Sequence, residues 1–183
     1  MASKASASKG FTIVELLIVI VVIGILAAIT IVSYSGVTNR ANDVAVQSDL
    51  RNLADAVLTN AATSGTSTFP TTGPELKNLT LRVTKGSYGN HLNYDGVLYN
   101  LLYCSTTSAA PTSAFAFVAS SKSGNVYAIT STTGVTTYDK AKWTAYHAGY
   151  GTICPDILNV AEGYSSAGLW FYANSIWQDY SGS

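Results

Sequence analysis

An unbroken apolar run near the N-terminus is the most prominent pattern in the chain. Lys4 and Lys9 precede it, and Phe11 opens FTIVELLIVIVVIGILAAITIV, a run over residues 11–32 whose only charged residue is Glu15. About 20 apolar residues suffice to cross a bilayer as a helix. A single strand would leave backbone N–H and C=O groups unpaired in lipid. The run therefore predicts a transmembrane helix over 11–32, and the two lysines before it place the N-terminus in the cytoplasm.

Glu15 is out of place in a simple membrane anchor. An acidic side chain at bilayer depth is costly, and such residues usually have a function. A secretory signal peptide has an apolar region of about 7–15 residues, so this run is too long for one. A plain anchor fits the length but leaves Glu15 unexplained, unless its carboxylate only reaches out to the headgroups. Glu15 is the first candidate functional residue.

The periodicity changes after residue 33. Apolar residues then recur in steps of three and four, which predicts an amphipathic continuation of the helix over 33–62. This predicted stripe comprises Val37, Ala41, Val44, Ala45, Leu50, Leu53, Ala54, Val57, Leu58 and Ala61. The polar residues Asn42, Asp43, Asp49, Arg51, Asn52 and Asp55 are expected mostly on the other face. No proline precedes Pro70, so nothing has to break the helix between residues 11 and 62.

Residues 63–183 are expected to form a head that covers this stripe. An irregular loop follows the helix, and short runs with strand composition occupy 79–83, 97–104, 114–120, 125–130 and 134–139. Residues 131–134 are typical of a hairpin turn, and the aromatic tail 168–180 is either a further strand or a packed loop. The predicted fold class is α+β, with a long N-terminal helix packed against an antiparallel sheet.

Composition excludes several classes of function. Ten basic and ten acidic residues give zero formal charge, which removes the electrostatic argument for a dedicated nucleic-acid binder. His91 and His147 have no nucleophile motif near them, and no metal-ligand or phosphate-loop spacing occurs, so the sequence predicts neither an enzyme nor a cofactor or metal site. Cys104 and Cys154 fall outside the cytoplasm by the topology argument, where disulfides persist. A bond between them and two free thiols both remain open.

Two weaker candidates lie in the head. Basic and aromatic residues cluster at Lys140, Lys142, Trp143, Tyr146 and His147. Surfaces of this kind bind single-stranded nucleic acid, but the balanced charges of residues 63–183 favour a solvated loop with a packed tryptophan. Binding of DNA or of a host surface is kept as a minor alternative. Asn78 begins a formal glycosylation sequon, a triplet that arises often by chance.

The segment GFTIVELLIVIVVIGILAAI resembles the N-terminus of prepilins of the type IV pilin and pseudopilin superfamily. The matching features are the short basic leader that ends in Gly10, Phe11 directly after it, Glu15 four residues on, and the apolar helix with Gly24. Tyr34 also stands where these pilins commonly carry a tyrosine.

The resemblance implies processing and assembly. A prepilin peptidase would cut between Gly10 and Phe11 and would methylate the new Phe11 amine. The subunit would wait in membrane lipid until an assembly platform in the membrane passes it into a helical filament of identical subunits. There Glu15 would pair with the Phe11 ammonium of a neighbour. Many type IV pilin heads are clamped by a disulfide, here Cys104–Cys154, and many type IVa pilins carry at the position of Val32 a proline where the helix kinks or melts.

The sequence thus predicts a leader at 1–10, a transmembrane and assembly helix at 11–32, its amphipathic half at 33–62 and a β-rich head at 63–183. The expected function is that of a major pilin, held in the cytoplasmic membrane before assembly and located in an extracellular pilus afterwards. The first alternative is a pseudopilin of a type II secretion or DNA-uptake pseudopilus. The second is a membrane-anchored adhesion or binding module that never polymerises.

Overall fold

The structure is a computed structural model of the chain. It describes residues 10–65, 69–72, 75–76, 79, 81–89, 91–92, 98–107, 113–144, 152–173 and 176–179. The chain divides into two compact units, residues 1–38 and 39–183. Helix α1, Ile13–Ser64, contributes residues to both units, which are described separately below.

The first unit is formed by the N-terminal part of α1. Its large apolar side chains, from Phe11 to Ile31, are all exposed, and the least exposed of them, Val22, keeps 48% of its surface. Among the described residues α1 is the one helix that is long and apolar enough to cross a membrane. Because exposed apolar surface is unfavourable in water, this segment needs lipid or other apolar side chains around it.

The second unit contains a seven-stranded sheet. Its strands are β1 His91–Leu92, β2 Leu98–Thr106, β3 Phe115–Ser120, β4 Val126–Thr130, β5 Thr136–Thr137, β6 Tyr164–Ala173 and β7 Ile176–Asp179. The strand order is β5-β4-β3-β2-β6-β7, β1 also pairs with β2, and each of these pairings is antiparallel. The predicted α+β class is confirmed.

Alternate strand positions pack into two different layers, as the period of a strand requires. One face of the sheet packs against the C-terminal half of α1 through side chains such as Leu101, Tyr103 and Phe117. The opposite face, which includes Leu102 and Val118, packs in a second cluster. That cluster also contains residues of two short helices, α2 Lys140–Thr144 and α3 Ile153–Leu158. The sequence did not predict this second helical layer.

The face of α1 that packs on the sheet differs from the predicted stripe. The buried apolar residues of the helix are Val46, Leu50, Leu53, Ala54 and Val57. This set has helical spacing, but it contains Val46, which lies outside the predicted stripe. The assignment of Val44 and Leu58 to the buried face is wrong, since these side chains are 61% and 41% exposed. Apolar residues lie on more than one side of the helix. The periodicity of the sequence therefore does not determine which side the head covers.

Several strand predictions also need correction. The run LTLRV at 79–83 forms no strand in its described part, 79 and 81–83. Its backbone folds back locally, with Leu81 N–H donating to the Leu79 carbonyl at 2.8 Å. Of 134–139, only Thr136–Thr137 is a strand, and it pairs with β4 as the predicted hairpin requires. The aromatic tail at 168–180, for which a strand and a packed loop were both open, contains strand in the C-terminal part of β6 and in β7.

Candidate functional site

The N-terminal end of α1 is organised around Glu15. Thr12 directly precedes the first helical residue, and both its backbone N–H and its hydroxyl donate to Glu15 Oε2, at 2.8 and 2.7 Å. The Thr12 hydroxyl in turn accepts from the backbone N–H of Glu15 at 3.2 Å. This reciprocal arrangement is a capping box, which satisfies backbone donors that a helix N-terminus otherwise leaves unpaired.

Sequence reasoning selected Glu15 but missed Thr12. The signal was present, because Thr-x-x-Glu directly before an apolar run is the sequence pattern of a capping box.

Gly10 and Phe11 lie outside the helix and are exposed. Phe11 keeps 88% of its surface, so the bond between the two residues is open to an enzyme. A Cβ added at Gly10 would meet nothing within 4 Å. The fold therefore has no steric need for glycine here, and any need for it comes from a partner that handles this bond.

Asp49 holds part of the head on α1. It is buried and accepts three hydrogen bonds: from the Thr84 N–H at 2.5 Å, from the Thr84 hydroxyl at 3.2 Å and from the Tyr88 hydroxyl at 3.2 Å. Burial, together with the neighbouring Asp49 carboxylate, raises the pKa of Tyr88, so this hydroxyl stays protonated and remains a donor. The expectation that Asp49 lies on the face away from the head is wrong, because the head supplies donors that satisfy its carboxylate.

Asp43 makes a second polar contact between α1 and the head. Its carboxylate accepts from the Ser123 hydroxyl and, at 2.9 Å, from the Asn125 side-chain amide, both in the turn between β3 and β4. Partial burial acts to raise the pKa of Asp43, but hydrogen bonds from the turn outweigh it and the pKa lies below its ordinary value. Asp43 therefore also turns toward the head, against the prediction.

The segment that Asp49 holds continues onto the sheet at Gly89. The Gly89 N–H donates to the Ser120 carbonyl at 2.8 Å, and Asn100 donates to the Gly89 carbonyl. A Cβ at Gly89 would lie only 2.5 Å from the Ser121 carbonyl oxygen. This close approach requires glycine, because any side chain would push the segment off the sheet.

A disulfide joins Cys104 of β2 to Cys154 of α3, with a Cα–Cα distance of 5.3 Å and both residues fully buried. The bonded alternative is therefore confirmed. The bond attaches α3 to the centre of the sheet, on the face opposite α1.

The basic and aromatic cluster does not form an open stacking surface in its described part. Trp143 is only 2% exposed, as expected for a packed tryptophan. Lys142 lies 2.7 Å from Asp156, which also accepts from the Tyr138 hydroxyl at 2.9 Å. The hydrogen bond from Lys142 holds the pKa of Asp156 below its usual range. Lys140 remains exposed.

Some candidates cannot be placed. Tyr146, His147 and the Asn78 sequon fall outside the described residues, and His91 is described only by its backbone in β1. Within the described ranges no group of three or more His, Cys, Asp or Glu side chains could hold a metal ion.

The described residues thus contain the two parts of one class of protein: an exposed apolar helical segment with a capped N-terminus, and a disulfide-bonded α+β head. Residues 5–31 match the family model of the prokaryotic N-terminal methylation motif. The match covers the N-terminal segment and supports a type IV pilin-like or pseudopilin protein. Comparison with curated proteins and with solved structures gives no significant match.

The motif has two further consequences. Together with the apolar helix it supports membrane anchoring of the subunit before assembly. The pilin family is also structural rather than enzymatic.

Proposed function

We propose that the chain is the major structural subunit of a type IV pilus, cut after Gly10, methylated on Phe11 and polymerised through α1. The observation that carries the proposal is a single carboxylate, Glu15, in an otherwise apolar helical surface within the residues that match the methylation motif. A plain anchor gains nothing from such a charge.

Cleavage supplies the counter-charge for Glu15. Hydrolysis of the bond before Phe11 creates an ammonium four residues from the carboxylate, and methylation keeps its positive charge. When apolar helices bundle away from water, an ammonium of one subunit and a carboxylate of the next satisfy each other. Because the ammonium and the carboxylate pair only when they lie at the same height, the ion pair also fixes the axial register between subunits.

The partners follow from this mechanism. They are identical subunits, a prepilin peptidase at the cytoplasmic side of the membrane, and an assembly platform that moves the subunit from lipid into the filament. The head, which is rich in Ser, Thr and Tyr, suits a filament surface in contact with water. A pseudopilin shares every feature of the N-terminus and is the alternative that the experiment has to separate.

The test is electron microscopy of surface material sheared from cells, combined with mass spectrometry of the purified filaments. Long filaments composed mainly of this chain, each copy beginning at methylated Phe11, are the expected result. Short or absent filaments together with a secretion or DNA-uptake defect on deletion would assign a pseudopilin. Cells that keep the processed chain in the membrane without any filament or pseudopilus phenotype would contradict assembly altogether.

A further inference from the structure

We propose that Thr12 is a positioning residue for Glu15, which presents the carboxylate to the ammonium of the neighbouring subunit. The inference rests on the proposed function, because it concerns the same assembly contact. Its basis is the geometry of the capping box, in which one hydroxyl both donates to the carboxylate and accepts from the backbone of the same residue.

The two donors of Thr12 act on one oxygen of the carboxylate. In the described part of the chain, both hydrogen bonds to the Glu15 side chain fall on Oε2, at 2.8 and 2.7 Å. Oε1 is left for a second partner, and the Glu15 side chain is exposed. A carboxylate can accept on both oxygens at once, so the contact with Thr12 need not break when a neighbour arrives.

Positioning matters because a glutamate side chain has several rotatable bonds. Fixing a long side chain on association costs conformational entropy, and a side chain that is already held loses less. The backbone N–H and the hydroxyl of Thr12 hold the Glu15 side chain before assembly, and both residues belong to the same turn of the chain. The contact also survives removal of the leader, since both residues lie after the cleaved bond.

The test compares Thr12→Val with Thr12→Ser in the full chain, expressed in cells that lack the native copy. Valine has the shape of threonine without its hydroxyl, and serine restores the hydroxyl. The measured quantity is filament yield divided by the pool of cleaved chain in the membrane, so a change in processing does not count. Thr12→Val is expected to lower this ratio about fivefold, as expected for the loss of one hydrogen bond to the carboxylate, and Thr12→Ser is expected to restore it.

A third variant separates positioning from helix capping. Thr12→Gly is tolerated at an N-cap with little loss of helix stability, but it has no hydroxyl to donate to the carboxylate and adds no charge beside it. It is expected to fail where Thr12→Ser succeeds. Wild-type yield from Thr12→Val or from Thr12→Gly would overturn the inference while leaving the proposed function standing. Absence of filaments from the wild-type chain would instead refute the proposed function.

Discussion

Glu15→Ala is expected to stop filament growth while leaving the subunit inserted in the membrane and cleaved. Insertion should not suffer, because the helix becomes more apolar. Cleavage should not suffer either, since the bond between Gly10 and Phe11 lies in an exposed segment ahead of the helix. Assembly is different, because each new ammonium at Phe11 would enter an apolar bundle without its counter-charge.

The size of the effect follows from the surroundings of Glu15. From Ile13 to Ile31 the large side chains of the helix are apolar and exposed, so a bundle of such helices offers the ammonium no substitute acceptor from this face. Leaving one member of a buried ion pair unpaired lowers the equilibrium constant of each addition step by about 10²–10³-fold or more. A polymer that grows one subunit at a time does not tolerate such a loss at every step.

The assay measures filament yield against the cleaved membrane pool for the wild type, Glu15→Ala and Glu15→Gln. Glutamine is the matched control, because it can complete the capping box with Thr12 but carries no charge. Both variants are expected to accumulate cleaved subunit without filaments. Normal filaments from Glu15→Gln would show that the cap and not the charge is needed. Normal filaments from Glu15→Ala would refute the ion-pair argument.

Three further predictions concern processing and the head. Intact mass of surface protein should show a chain that begins at methylated Phe11, and a start well inside the apolar helix would indicate ordinary signal-peptide cleavage instead. Replacing Cys104 and Cys154 together with serine should lower the free energy of unfolding of the head by up to ~4 kcal/mol, measured by denaturant titration, and an unchanged midpoint would contradict the clamp. Gly89→Ala should cost about 1–3 kcal/mol in the same assay because its Cβ has no room, whereas Gly86→Ala, whose Cβ would meet nothing within 4 Å, should cost less.

The helix and the class of sheet could be predicted because their signals are local. An apolar run of membrane length and a period of three to four residues are both readable within α1. The strands at 114–120 and 125–130 were also close to β3 and β4, since β-branched and aromatic residues between turns have few other structures available.

What failed depended on contacts between distant parts of the chain. The segment at 79–83 has strand composition, but nearby Thr84 gives its N–H to Asp49, 35 residues away in sequence, and not to a neighbouring strand. Asp49 is buried because the head supplies hydrogen-bond donors to its carboxylate. The periodicity of the helix does not predict these donors. The short helix α3 is attached to β2 by a disulfide. Composition predicts neither which cysteines pair nor on which face of the sheet the helix lies.

The two carboxylates that α1 turns toward the head have a consequence for how uniform the subunits are. An apolar stripe repeats with each turn, so by itself it would tolerate a helix that slips along the sheet by one turn, about 5.4 Å. Asp43 accepts hydrogen bonds from the turn between β3 and β4, and Asp49 accepts them from the segment at 84–88. Both sets of hydrogen bonds form at only one position of the helix along the sheet. A slipped helix would leave both charges without partners. If the chain forms the proposed filament, in which a subunit placed at the wrong height would disturb the contacts above it, these two aspartates would give every subunit the same conformation before it is added.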